Sequence, residues 1–517
     1  MSTKPQLSEG LSWPARVVLL LALVPGLWLW RLMASDWSGA GLFVDEAQYW
    51  DWSRQLAWGY FSKPPMVAAL IGLSSAVGGT GLMGVRWLIV LMWTLTPLVL
   101  WRLVWEMSRD ARTPVHDAVG SGAWAAVLAS ACLVSGLVGG VATTDGPLLF
   151  GWAMLMWLFW RAQQRPDSLL RWVLWGTVLA MTVLSKYTAA VIVVSALWLT
   201  WRSGDRRVWR GLILAGVWSA LLMVPHLMWN HAHGWPTLRH TAELLAGDGA
   251  EAASGPVRWF LALLTFLASQ CVVIGPVVLV VGGRWAWLRR RARRAGATSI
   301  AQDTQPLRWA WAWSWPIWLV GGVQAMQGKG QLNWAAPAVL GFVLLLALVR
   351  QRLVLPPRPG RLLLTLVLGA VLAGVVTLGG DWRKHLNMQG SGSRWDLWSR
   401  ARGWDAGFEA MAPLIAQHPG LPLVTAERAV VAHATYAWRA QGWRPLSWRT
   451  GPLPMHHYEM LFPYVPKDGQ AVLFITAENG TESIPEGLSQ RLPRQHKLWH
   501  NPDPARPMAL WLLEPGP

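Results

Sequence analysis

Apolar stretches alternate with short polar, arginine-rich ones over the first three quarters of the chain. The apolar runs are Val17–Met33, Gly84–Trp105, Ala118–Val141, Leu148–Trp160, Trp172–Trp201, Leu212–Trp229, Val257–Val281, Trp309–Met326, Trp334–Leu348 and Leu362–Leu378. Most approach or exceed the length an α-helix needs to cross a bilayer, on the order of 20 residues. The run from Trp172 to Trp201 has arginines at both ends (Arg171; Arg202, Arg206, Arg207). A single crossing would put those ends on opposite sides, so the pattern predicts two short helices turning near Ser185-Lys186-Tyr187. Counting that pair, about eleven membrane segments follow. The short run 66–78 reads as a membrane-edge helix closing the first external loop.

Beyond about Gly379 the pattern changes. No long apolar run remains, and Leu421–Ala426 and Ala471–Ala477 read as short buried strands, with a helix over WDAGFEAMAPLIAQH. The expected organisation is an all-α polytopic membrane domain over residues 1–379, including a first periplasmic loop at 34–83. A small α/β periplasmic domain over 380–517 follows it.

Composition agrees with this division. The chain is 53% hydrophobic and only 14% charged, against about a quarter charged in soluble domains. A net charge of +18 in a soluble chain would point to nucleic acid. Here the basic residues collect in alternate loops, above all Arg289–Arg291 with Arg293 and Arg294, so the charge reports topology, and no nucleic-acid partner is expected. It predicts residues 34–65, 230–256 and 380–517 outside and 284–308 inside. Cys132 and Cys271 both lie in apolar runs, so no disulfide framework is expected.

The candidate chemistry clusters at the predicted outer ends of the segments. The loop after the first span reads LFVDEAQYWDWSRQLAWGYFSKPPM, with paired carboxylates Asp45 and Glu46. A helix over 45–58 would align Tyr49, Trp52 and Leu56 below Asp45. Lys63 precedes Pro64-Pro65, which end helical structure. The stripe suits either an interfacial aromatic belt or a sugar-binding face. Asp145, in TTDGPLLF, suits a helix N-cap as well as a site carboxylate. Lys186 is an ammonium in apolar sequence, a functional candidate by default because an unpaired charge there is costly; Tyr187 follows it. PHLMWNHAHGWPTLRH contributes Asn230, His231, His233 and Arg239. A carboxylate can take a proton from an acceptor hydroxyl, and cations can stabilise a departing phosphate.

DEAxYW…GYF…KPPM, together with TTDGPLLF, LSKYTA and PHLMWNHAHGW, resembles the bacterial glycosyltransferase family 39/83 group, which has the GT-C fold. That group includes protein mannosyltransferases and lipid A aminoarabinose transferases. The resemblance implies a polyprenyl-phosphate sugar donor, inversion at the anomeric carbon, and Asp45 as catalytic base, with Asp145 and Glu46 as further candidate catalytic carboxylates. Lys63, Lys186 and Arg239 are the implied phosphate partners, and Tyr49, Tyr187, Asn230 and His233 the remaining substrate contacts. Some relatives are thought to bind a divalent metal near the histidines. The acidic position expected before Lys63 is Ser62 here, and the basic one three after Asp45, usual in the aminoarabinose branch, is Gln48. No cofactor is otherwise implied.

The expected activity is transfer of a sugar, at the periplasmic face of the inner membrane, to lipid A, another glycolipid or a glycan. A protein acceptor, as in protein O-mannosyltransferases, is the alternative. A lipid-linked sugar flippase or transporter also has many spans and buried charge, but usually shows inverted repeats and a midplane site.

Overall fold

The computed structural model describes residues 25–34, 36, 39–110, 115–246, 255–294, 305–328, 333–353, 359–385, 398–477, 484–501 and 506–516. Most of the expected first span, the whole loop between Arg294 and Gln305, and Lys329 of the GKGQLNW segment lie outside the described residues. The chain divides into two compact units, residues 1–33, 88–228 and 241–375, and residues 34–87, 229–240 and 376–517.

The helices in chain order are α1 (Val44–Ser53), α2 (Met66–Gly78), α3 (Leu82–Asp110), α4 (Val115–Ala131), α5 (Leu133–Leu137), α6 (Asp145–Gln164), α7 (Leu169–Val183), α8 (Ile192–Ser203), α9 (Arg206–Ala232), α10 (Pro236–Ala246), α11 (Pro256–Ile274), α12 (Pro276–Arg294), α13 (Gln305–Ala312), α14 (Trp315–Met326), α15 (Ala338–Arg352) and α16 (Pro359–His385). Among the described residues, three are long and apolar enough to cross a membrane, within α3, α9 and α11.

In the first unit α6 packs on α7, α4 on α15, and α11 on α14. Its core is aromatic: the Phe159 ring meets Trp172, Trp175 and Trp313 at centroid distances of 5.9, 6.0 and 5.5 Å. The run 172–201 is broken as its charges required. A single 3-10 segment, Tyr187–Val191, separates α7 from α8. The run 257–281 is also broken, at Gly275, whose φ of 88° ends α11 before Pro276 starts α12. Periodicity alone hid that break, because both halves are apolar.

In the second unit α1 ends earlier than the sequence suggested, at Ser53 rather than 58. The Tyr60 hydroxyl explains the stop: it donates to the Trp52 carbonyl at 3.1 Å and accepts from the Ala57 amide at 3.1 Å. Leu56 therefore leaves the stripe and is exposed. Tyr49 and Trp52 keep it, with rings 5.3 Å apart.

The C-terminal segment adds α17 (Trp404–Ala416), β1 (Leu423–Thr425), α18 (Arg428–Ala437), β2 (Leu446–Ser447), α19 (His457–Leu461), β3 (Val472–Thr476), α20 (Glu486–Arg491), β4 (Arg494–His500) and β5 (Ala509–Glu514). Its five-stranded sheet has the order β2-β1-β3-β5-β4, with β1 parallel to β2 and β3 and the β3–β5–β4 side antiparallel. Phe408, Val430, Trp438, Leu473, Ile475 and Leu510 form its core. Both expected strands and the expected helix are present. Strand β4 was not anticipated, because RQHKLWH is a largely exposed edge strand without an apolar run.

Candidate active site

Helix α1 separates the adjacent carboxylates. Glu46 stands in its first turn and accepts from the Phe43 amide at 3.0 Å, satisfying the N–H at the start of the helix. Its two oxygens receive Arg86 Nε at 2.7 Å and Nη2 at 2.6 Å, and both side chains are fully buried. Arg86 also donates to the Gly41 carbonyl at 2.9 Å. Asp45 is 50% exposed, and Arg428 of α18 reaches its Oδ1 at 3.0 Å. The same Arg428 nitrogen donates to Gln48 Oε1 at 2.9 Å.

A third carboxylate on this helix, Asp51, is buried against Arg444. Burial pushes its pKa up, opposed by the Arg444 guanidinium. Asp51 and Arg444 line a cavity of about 270 Å³ together with Trp52, Tyr60, Trp229, His233 and His457. The Trp52 and Tyr60 rings stack in parallel, 4.4 Å apart, and His457 packs edge-on to Trp52 at 5.0 Å. Gly59 is required here, since a Cβ would lie 2.3 Å from the Trp229 ring. Burial and the nearby Arg444 charge hold His457 down at a pKa of about 3, so it is a neutral ring at physiological pH.

The WNHAHGW segment belongs to the same unit. Asn230 is fully buried, and its carbonyl accepts from the Trp235 amide at 2.7 Å, closing a turn in which Trp235 has φ 63°. His233 stacks on Trp229 at 4.2 Å, whereas His231 meets Trp235 edge-on at 5.8 Å. Arg239 is exposed, and Lys63 is partly buried. The two histidine rings thus engage different tryptophans, and position 62 is a serine. Among the described residues no three His, Cys, Asp or Glu side chains gather as metal ligands would. The donor set therefore does not fit a divalent metal, and no step is assigned to one.

The first unit holds the other carboxylate. Asp145 opens α6, where the helix dipole favours a negative charge. Its Oδ1 receives Lys186 Nζ at 2.7 Å and its Oδ2 receives Asn333 Nδ2 at 2.7 Å, all largely buried. Lys186 stands at the break after α7, where the backbone leaves helical geometry. Tyr187 pairs its hydroxyl with the His226 ring. Gly146 is needed beside Asp145, because a Cβ would press on Ile89 and Trp93.

The sequence-derived residues thus fall into two groups. Asp45, Glu46, Tyr49, Lys63, Asn230, His233 and Arg239 belong to the second unit, and Asp145, Lys186 and Tyr187 to the first. Reading the sequence missed Arg86, Arg428, Arg444, His457 and Asn333. Asn333 sits in the distinctive GKGQLNW segment and carried a local signal; the arginines are ordinary residues whose partners are remote in sequence.

The fold is that of the GT-C glycosyltransferases. The crystal structure of ArnT from Cupriavidus metallidurans in the apo state matches with a TM-score of 0.63 at 16% identity, covering 96% of this chain and 98% of that one. The same protein bound to undecaprenyl phosphate matches with a TM-score of 0.60 at 17% identity, with the same coverage. The dolichyl-phosphate-mannose-protein mannosyltransferase family model matches residues 62–229. The lipid A galacturonosyltransferase RgtD of Rhizobium johnstonii is 28% identical over 462 residues, 88% of this chain and 90% of that protein. The undecaprenyl phosphate-alpha-4-amino-4-deoxy-L-arabinose arabinosyl transferase of Pseudomonas aeruginosa is 29% identical over 278 residues, 49% of this chain and 48% of that protein. In sequence and fold the chain resembles GT-C glycosyltransferases of the lipid A-modifying and protein-mannosylating type, and the resemblance carried by its motifs is borne out.

Proposed function

We propose that the chain transfers a sugar from a polyprenyl-phosphate donor to lipid A, at the periplasmic face of the inner membrane, with inversion. The observation that carries the mechanism is the unequal exposure of four carboxylates. Glu46, Asp51 and Asp145 are each buried against a cation, and Asp45 alone is half open to solvent. A base must reach an acceptor hydroxyl, so Asp45 takes the role, oriented by Arg428. As the acceptor oxygen bonds to the anomeric carbon, the bond from that carbon to the phosphate oxygen breaks. The hydroxyl proton passes to Asp45, and the lipid phosphate leaves. Lys63 and Arg239, in the same unit as Asp45, are the cations assigned to that phosphate, whose charge grows in the transition state.

The sugar is assigned as a hexuronic acid, galacturonic acid. Likeness to the galacturonosyltransferase covers most of the chain, while likeness to the arabinosyl transferase covers about half. Gln48 standing where the aminoarabinose branch tends to be basic supports the same choice.

The test is transfer by the purified protein, with lipid A as acceptor and polyprenyl-phosphate galacturonic acid, aminoarabinose or mannose as donor, read by mass spectrometry. Modified lipid A from the galacturonosyl donor is expected. Transfer from the aminoarabinosyl donor alone overturns the sugar, and transfer only to a protein acceptor overturns the lipid.

A further inference from the structure

The transfer chemistry does not use the cavity of about 270 Å³ beside α1, although Asp51 and Trp52 of its wall share a helix with Asp45. Its lining comes from the stretches 51–60, 229–233 and 444–462, each described without a gap and all within the second unit. Two stacked ring pairs contribute to the wall, Trp52 with Tyr60 at 4.4 Å and Trp229 with His233 at 4.2 Å. Arg444 lies over the Phe462 ring at 4.2 Å and pairs with Asp51, so ring and carboxylate together fix its guanidinium. His457 adds a neutral ring.

This lining has the chemistry of a sugar site. The C–H groups on a pyranose face carry partial positive charge and meet the negative face of an aromatic ring. Asp51 can accept from a hydroxyl, Arg444 keeps N–H donors beyond the one given to Asp51, and the Gln55 amide both donates and accepts. A carboxylate beside a guanidinium matches neighbouring hydroxyls, whereas a phosphate would be repelled by Asp51. The cavity is also too small for a polyprenyl chain. Leu56 and Leu461, which border it, are 63% and 46% exposed, an apolar edge suited to an acylated sugar. Asp51 lies six residues after Asp45, about 9 Å along the helix at 1.5 Å per residue. A ring in the cavity therefore stands beside, not at, the hydroxyl that Asp45 deprotonates.

We propose that this cavity is a saccharide subsite for the acceptor glycolipid, seating the pyranose next to the one that receives the transferred sugar. Its hydroxyl or amide groups bond Asp51, Arg444 and Gln55, and its faces meet the aromatic wall. The assignment rests on lipid A being the acceptor. It gives the C-terminal segment, which supplies Arg444, His457, Leu461 and Phe462, a part in choosing that acceptor.

The test measures binding of deacylated lipid A saccharide to the full-length protein in detergent by calorimetry, with no donor present, beside transfer kinetics with intact lipid A. Asp51→Leu/Arg444→Leu removes both charges together, so neither is stranded, and should weaken saccharide binding at least about tenfold. Gln55→Leu alters an exposed side chain, leaves the fold alone, and should weaken binding roughly 2- to 10-fold. Each variant should raise KM for lipid A by a similar factor, while kcat and undecaprenyl phosphate affinity change less. The subsite is overturned if wild type transfers to lipid A and Gln55→Leu and the double variant keep its KM and its saccharide affinity. It is also overturned if donor and acceptor affinity fall together with melting temperature, the mark of a structural ion pair. If wild type binds the saccharide, the variants lose it, and lipid A is nevertheless not modified, the subsite stands and the acceptor reading fails. Absence of both binding and transfer overturns both.

Discussion

Arg86 grips Glu46 through two nitrogens, at 2.7 and 2.6 Å and with neither side chain exposed, one residue along the chain from the half-exposed Asp45. Neighbouring carboxylates thereby receive opposite duties. The buried pair, with its capping bond and its bond to the Gly41 carbonyl, fixes the start of α1. That sets the direction in which Asp45 faces.

The first prediction concerns stability. Removing one partner of a buried ion pair strands the other charge, at a cost of about 3–5 kcal/mol. Arg86→Met should lower the melting temperature of the detergent-solubilised protein sharply, and Glu46→Gln should do so by a smaller margin, since Gln keeps a hydrogen bond. The Arg86→Met/Glu46→Gln double variant should recover part of the loss. Single variants that melt like wild type would remove Glu46 from the framework of the helix.

Lys186 carries the second prediction. Its bond to Asp145 takes one of three ammonium donors, leaving others for a phosphate. Lys186→Met should weaken undecaprenyl phosphate binding by roughly 10- to 100-fold, the range for a lost hydrogen bond to a charged group. Asp145→Asn should leave that affinity the same or tighter, because it removes a competing anion while Asn333 still holds the residue at 145. Titration of both variants by a lipid-binding assay decides the matter. Equal losses would make the pair a structural clamp.

These residues also show what could be read in advance. Asp45, Lys63, Asp145 and Lys186 were legible because a charge in or beside apolar sequence needs a reason, and because their flanking prolines and aromatics form recognisable motifs. The broken run around Lys186 followed from arginine counting alone. Arg428 and Arg444 were not legible: they lie about 380 and 390 residues from Asp45 and Asp51, in a segment with no unusual pattern. Arg86, the partner of Glu46, was not legible either, because it lies within an apolar run with nothing local to mark it. The end of α1 was set by a tyrosine hydroxyl, a tertiary contact that helical periodicity does not contain.

Acid sensitivity of the C-terminal segment is the third prediction. His457 has a pKa of about 3 in the folded chain against 6.5 unfolded, from burial, Arg444 and His456. His433 is also held well below 6.5, by burial and by Arg506 and Arg428. Between those values the unfolded chain binds protons that the folded chain does not. Stability is thus fully present above pH 6.5 and declines as pH falls through 6.5 toward 3, by about 1.4 kcal/mol per unit for each such histidine. The raised pKa of Asp51 acts in the opposite sense, gaining stability as the pH approaches the carboxylate range. The wild-type melting temperature should therefore drop between about pH 7.5 and 5, and His457→Phe should shrink that drop. An unchanged drop in this variant would show that the ring titrates freely.

The last prediction is the catalytic one. Asp45→Asn preserves size and can keep the contact with Arg428, because its carbonyl oxygen still accepts, but it cannot take a proton from a hydroxyl. Loss of general-base help costs about 10² to 10⁴ in rate. Turnover with polyprenyl-phosphate donor and lipid A should fall within that range, while melting temperature and undecaprenyl phosphate affinity stay near wild type. Asp45 is half exposed and its bond to Arg428 is a surface pair, worth about 0–1 kcal/mol, so little stability depends on it. Arg428→Gln separates orientation from proton transfer: it leaves the carboxylate in place but unsupported, and should lower turnover less than Asp45→Asn does. A comparison with Asp51→Asn completes the case, because Asp51 is the carboxylate of α1 that lines the aromatic cavity. If Asp51→Asn were inactive while folded and Asp45→Asn turned over near the wild-type rate, the base would be Asp51. The exposed carboxylate of α1 would then serve only to seat Arg428.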